Sequence, residues 1–149
     1  MKRLWLLALF LAACGSPAEP PPTEPIESPA SVFSLAVRYP DPAVSAEVYT
    51  GSADALFARG QVTIRAEGTG NDGTLSLTLE LPDLDQTSYT VGDNVRAQAQ
   101  ITEAGRITFD GAALAGTVVQ TGDEETFLTT LSLSFDGFDA GGTLGVPRQ

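Results

Sequence analysis

The sequence predicts an all-β fold, a single antiparallel β-sandwich or small barrel of about seven to nine strands after a disordered Pro-rich tether, with at most one short helix. Three observations carry this expectation. Apolar residues alternate with polar ones at period two, most cleanly where Leu75, Leu77, Leu79 and Leu81 are separated by Ser76, Thr78 and Glu80. A helix would scatter those leucines around its surface, whereas a strand puts them all on one face. Turn-forming residues punctuate the alternating runs at short intervals. Finally, 42% hydrophobic residues beside 18% charged ones in 149 residues suffice for one packed core and exclude wholesale disorder.

The elements follow in chain order. Residues 32–39, 46–50 and 61–67 alternate more weakly than the leucine run at 75–81. In the next strong run Val95, Ala97, Ala99 and Ile101 share one face, and Arg96, Gln98, Gln100 and Thr102 the other. Weak strands are expected at 106–109 and 114–120. The last strong run sets Phe127, Thr129, Leu131, Leu133 and Phe135 against Leu128, Thr130, Ser132 and Ser134. Between the runs lie Gly51-Ser52, the stretch 68–73, Pro82-Asp83, Gly92-Asp93-Asn94, Glu103-Ala104-Gly105, Asp110-Gly111 and Thr121-Gly122-Asp123. These residue types tolerate positive φ or hydrogen-bond their own backbone. Only 52–59 is assigned to a helix, with Ser52 as cap, Asp54 in the first turn, Arg59 in the last and Gly60 as the stop. The similarity of the stretch from Thr74 to that from Thr130 reflects shared half-buried patterning, because the flanks differ.

The first fourteen residues have another purpose. Met1-Lys2-Arg3 is a cationic start, residues 4–11 form an apolar run too short to span a bilayer, and Ala12-Ala13 supplies the small residues of a cleavage site. The run ends in Leu11-Ala12-Ala13-Cys14 and continues as Gly15-Ser16, which resembles the lipobox of bacterial lipoprotein precursors. The resemblance implies that residues 1–13 are a signal peptide and that Cys14 is lipidated, palmitate being one such acyl group, and becomes the mature N-terminus. Two or more acyl chains make a stable membrane anchor where one is marginal. Gly15, in place of Asp, resembles the family's pattern for release toward the outer membrane. Residues 14–30 then form a linker in which six of the ten prolines are interspersed with Glu19, Glu24 and Glu27. Proline lacks a donor and like charges repel, so the linker is expected to be extended and solvated, holding a domain at 31–149 away from the lipid.

Removing the leader removes Lys2, Arg3, Met1 and Trp5, which leaves six arginines against 19 acids, a balance of −13. So acidic a chain does not displace counterions from nucleic acid, and that partner class is excluded. The processed chain contains no His, Lys, Met or Trp and no thiol outside Cys14. Ser-His and Cys-His catalysis, lysine Schiff bases, imidazole or thiolate metal ligation and intrachain disulfides are therefore outside its chemistry. No cofactor and no enzymatic activity are expected. Carboxylates remain as acid–base groups, so a carboxylate-pair glycoside hydrolase is the least favoured alternative. Acidic turns at Asp83 and Asp85, at Asp123-Glu124-Glu125, and at Asp136 and Asp139 suit a hard cation in composition. They make a calcium-binding, adhesion-type module the next alternative, although EF-hand spacing is absent and solvated turns on an acidic protein explain them more simply.

Over about residues 60–140 the chain also resembles small β-rich lipoprotein domains of unknown function. The likeness rests on Gly105-Arg106-Ile107-Thr108-Phe109, on Phe135-Asp136-Gly137-Phe138, and on Ser88-Tyr89-Thr90-Val91-Gly92 as a turn between strands. It implies a β-sandwich and carries over no functional residue. The expected function is that of a lipid-anchored, extracytoplasmic binding or structural module of the cell envelope, whose partner is the membrane together with an envelope protein or glycan. Binding is expected on an exposed patch involving Tyr39, Tyr49 or Tyr89.

Overall fold

A computed structural model describes residues 31–122 and 124–148 of the chain. Its elements are β1 (Val32–Arg38), β2 (Glu47–Ala58), β3 (Gln61–Thr69), β4 (Gly73–Leu81), β5 (Ser88–Thr90), β6 (Arg96–Glu103), β7 (Arg106–Ala112), β8 (Ala115–Gln120), β9 (Thr126–Phe135) and β10 (Phe138–Pro147). The fold is all-β, as the alternation predicts. The ten strands form one antiparallel sheet in the order β5-β8-β9-β10-β1-β2-β3-β4-β6-β7.

This order forces the sheet to curl. β7 lies at one end and β8 next to the other, yet only Ala113 and Leu114 connect them. Two residues span well under one sheet width, so the two ends must meet. At the crossing the chain exchanges partners, with Ala113 N–H donating to Ala97 O at 2.8 Å and Leu114 N–H to Ser134 O at 2.8 Å. A strand that changes neighbours at a bend makes a corner and closes most of a barrel. The small β5 adds to the free edge of β8 through Ser88↔Val119, Tyr89↔Val118 and Thr90↔Thr117.

The alternating leucines behave as expected. Leu75, Leu77, Leu79 and Leu81 are buried, as are Val62, Ile64 and Ala66 on β3 and Phe33, Leu35 and Val37 on β1. Large faces small across the β4–β6 ladder, where Leu77 opposes Ala99 and Leu79 opposes Ala97, so the layer fills without crowding. Thr129, on the apolar face by its alternation, is the one buried polar residue among the described residues, and its hydroxyl donates to Leu144 O at 3.2 Å. Beneath the β7 end an aromatic cluster closes the seam. Phe135 stacks on Phe138 at 4.8 Å, and Phe109 meets Phe138 edge-on at 4.7 Å and Phe135 at 5.7 Å.

Three local expectations are corrected. Ser52 to Ala58 is strand, the second half of β2, and pairs with β3 down to Ala58↔Gln61. Ala55, Leu56 and Phe57 are contiguous, so a helix would have no apolar stripe to bury, whereas a ladder satisfies every backbone group on that side. The Arg59-Gly60 stop is a two-residue hairpin turn with φ of 54° and 76°, the double positive-φ geometry that matches strand twist. Ser88 to Thr90 is strand β5, where a turn was expected, because pairing with β8 buries Tyr89. β10 carries no sequence-level strand signal, since Gly141, Gly142 and Gly145 dilute its alternation. It is nevertheless central, paired with β1 and β9.

Candidate functional site

β2 is longer than its neighbour. β1 pairs with it from Val37↔Glu47 up to Phe33↔Gly51, and beyond that only Ser31 follows, its hydroxyl accepting from Ala53 N–H at 2.8 Å and donating to Ala53 O. Among the described residues, 54–58 therefore pair on the β3 side alone, which leaves an open edge at the barrel rim. Against this edge lies a cleft of about 440 Å³ with apolar walls from Phe57, Val62, Pro82 and Leu84 and charged groups from Arg59, Arg148, Asp83 and Asp85.

Arg148 organises the cleft floor. Its Nη2 donates to Leu84 O at 3.0 Å, its Nη1 lies 3.8 Å from the Asp85 carboxylate, and the guanidinium sits 5.9 Å from the Phe127 ring centroid. Asp85 is 88% exposed, so the ion pair contributes little and the carbonyl bond and the ring contact hold the side chain. Its Nε is buried with no hydrogen-bond partner among the described residues. Neither Arg148 nor Phe57 was singled out by sequence reasoning. A lone arginine near the C-terminus and a phenylalanine in an apolar triplet carry no spacing signal.

The tyrosines do not form the exposed patch expected of them. Tyr49 and Tyr89 are 0% exposed, and Tyr39 is half-buried with its ring 6.0 Å from Phe138. Their hydroxyls are used internally. Tyr49 donates to Glu47 Oε2 at 2.8 Å, while Glu47 Oε1 accepts from Asp72 N–H at 3.1 Å. Tyr89 donates to Asp83 O at 3.1 Å and accepts from Gln86 N–H at 3.1 Å, which pins the 82–87 connection onto β5. An amphipathic ring whose hydroxyl can reach backbone groups is as well suited to a core as to a surface.

Burial, then the hydrogen bond and charge of Glu47, raise the Tyr49 phenol well above its ordinary range, and burial pushes Tyr89 up to about 12. An unfolded tyrosine titrates near 10, so above that pH the unfolded chain releases protons that the folded chain keeps. The phenol contribution is complete below about pH 10 and is lost as pH rises toward 12. The urea midpoint should therefore fall over that interval, and Tyr89→Phe should flatten part of the fall. An identical slope in the variant would show that Tyr89 is not among the groups responsible.

The acidic turns are employed locally. Asp83 Oδ1 accepts from Asp85 N–H at 3.1 Å and closes its own turn, and Asp139 Oδ1 accepts from the Ser134 hydroxyl at 2.7 Å. Asp136 occupies the two-residue β9–β10 turn. Glu125 O accepts from Arg148 N–H at 2.9 Å. Among the described residues no three acidic side chains converge as a cation site. Asp123, Cys14, the leader and the Pro-rich linker lie outside the described residues. No protein-family model, curated protein or solved structure matches this chain, so the rim is characterised by its own geometry.

Proposed function

We propose that the chain is a lipid-anchored module of the bacterial cell envelope, facing water, which binds or supports a partner there and performs no chemistry of its own. The observation that carries this reading is Cys14, the only cysteine, placed directly after Leu11-Ala12-Ala13 and a cationic, apolar leader. The outer membrane is the favoured address where the organism has two. Two features of the folded part support the non-catalytic side of the reading. The barrel interior is filled by side chains, and of the two aspartates lining the rim cleft Asp83 closes its own turn while Asp85 lies beside Arg148.

Mass spectrometry of the protein purified from a bacterium that processes it tests the reading. The expected product begins at Cys14 and carries two or more acyl chains, and Cys14→Ser should move the protein from the membrane to the soluble fraction. An unmodified thiol or an intact leader would overturn the assignment.

A further inference from the structure

We propose that the domain turns its open rim toward the membrane and seats Leu56 and Phe57 at the boundary between lipid head groups and acyl chains. The inference rests on the lipid-anchor reading and adds to it an orientation and a second lipid contact.

The direction of the chain supplies the first argument. β1 runs antiparallel to β2, so Ser31, the first described residue, lies beside Ala53, on the half of β2 that continues to Ala58. The covalent link to Cys14 thus enters the barrel at the rim, on the side of Phe57 and Arg59. Residues 15–30 reach about 50 Å when extended, so the entry point alone selects no face.

The apolar side chains select it. Leu56 is 53% exposed and Phe57 44%, and they are the only consecutive pair among the exposed large hydrophobics of the described residues. Phe57 is the only aromatic in that set. Successive strand side chains point to opposite faces, so the two straddle an edge that β1 leaves uncovered, and both can dip into an interface at once. Arg59 at the hairpin tip adds a guanidinium group beside the pair, where a long cationic side chain lies against apolar surface and reaches phosphate, while Arg148 stays engaged in the cleft floor with Leu84, Asp85 and Phe127.

Charge and backbone set limits on the contact. In a processed chain of balance −13, the cleft lining balances Arg59 and Arg148 against Asp83 and Asp85, so it avoids the repulsion that anionic head groups exert on a net acidic surface. Glu124 and Glu125 of the β8–β9 loop lie at the same end of the barrel, and the rim therefore meets lipid tilted, hairpin first. Backbone groups along 54–58 that pair with no strand on the β1 side among the described residues exclude entry into hydrocarbon, where each would lack a partner, and hold the tip within roughly 5–10 Å of the interface.

The test uses the full processed lipoprotein in vesicles of phosphatidylethanolamine and phosphatidylglycerol, with and without brominated acyl chains. The only tryptophan of the chain, Trp5, lies in the leader, so Phe57→Trp introduces a single reporter. Its fluorescence is expected to fall about twofold in the brominated vesicles, because bromine on the acyl chains quenches an indole only at short range and the rim side chain is expected to sit roughly 5–10 Å into the boundary with those chains. Ile107→Trp, at a position 60% exposed near the opposite end of the barrel, is expected to stay unquenched. Leu56→Trp provides a second rim reporter should Phe57→Trp fail to fold by circular dichroism. If the protein floats with the vesicles and the rim reporters are unquenched, or are quenched no more than the Ile107→Trp reporter, the orientation is wrong and the anchor stands. If the protein does not float at all, the anchor reading fails and the inference with it.

Discussion

Replacing Phe138 by alanine should destabilise the domain by about 3–5 kcal/mol, a large share of the roughly 5–15 kcal/mol that holds a domain of this size together. Phe138 is 4% exposed and is the common partner of three rings, stacked on Phe135, edge-on to Phe109 and tilted against Tyr39. Two losses combine. Truncation forfeits the transfer of a large side chain out of water and leaves a cavity that neighbouring strands cannot collapse to fill. It also removes ring pairs that contribute about 0.5–1.5 kcal/mol each beyond their buried area. The position matters because Phe109 belongs to β7, at the far end of the sheet order, while Phe135 and Phe138 belong to β9 and β10. The cluster therefore ties β7 to β9 and β10, to which no ladder joins it. Urea unfolding followed by circular dichroism reads the effect. Phe138→Leu, which retains most of the volume, should cost less than half as much, and equal losses in the two variants would show that ring geometry and volume are not what this position supplies.

Gly142→Ala is the second large expected effect, about 3 kcal/mol, at the upper end of what overpacking costs. Gly142 lies in the middle of β10, opposite Leu35 of β1 and Leu131 of β9. A Cβ there would stand 2.0 Å from Ser34 O and 2.8 Å from Leu35 Cα, both backbone atoms of the neighbouring strand. A flexible side chain could swing away, but a paired backbone cannot move without breaking its ladder. Gly141→Ala is the matched control, since the nearest atom to its Cβ is Leu131 O at 3.6 Å, an ordinary contact. The thermal midpoint should fall strongly for Gly142→Ala and little for Gly141→Ala. Equal midpoints would mean that β1 and β10 separate easily at this point.

The same glycine explains why β10 escapes a reading of the sequence. A strand is legible when apolar side chains recur at alternate positions, and here the inward position between Ala140 and Leu144 is empty because the adjacent backbone occupies its space. β5 is hidden for a different reason. Three residues are too few for a period to show, and their partner, β8, lies 25 or more residues downstream. At 52–59 a cap-like serine, an early acid and a final Arg-Gly are signals that a helix end and a type I′ hairpin share. Pairing with β3 decides between them, and local propensity has no access to that partner.

The candidate site was less legible than the fold. Tyrosine is compatible with both a core and a binding surface, and only the positions of Asp83, Gln86 and Glu47 show that the hydroxyls of Tyr89 and Tyr49 are satisfied inside. The rim depends on a difference in strand length between β1 and β2 and on the return of Arg148 to the loop at Leu84, a contact spanning 64 residues.

By itself the sequence determined the fold class and the inward face of every strongly alternating strand, because period-two burial is a property of the chain and needs no knowledge of its neighbours. It determined as well which catalytic groups residues 14–149 lack, since composition alone sets that limit. Only the tertiary structure decided the curl of the sheet, the places of β5 and β10, the burial of the tyrosines and the open rim. Each of these depends on which distant segments pair, and pairing is a non-local contest of backbone hydrogen bonds and packing that no window along the chain contains.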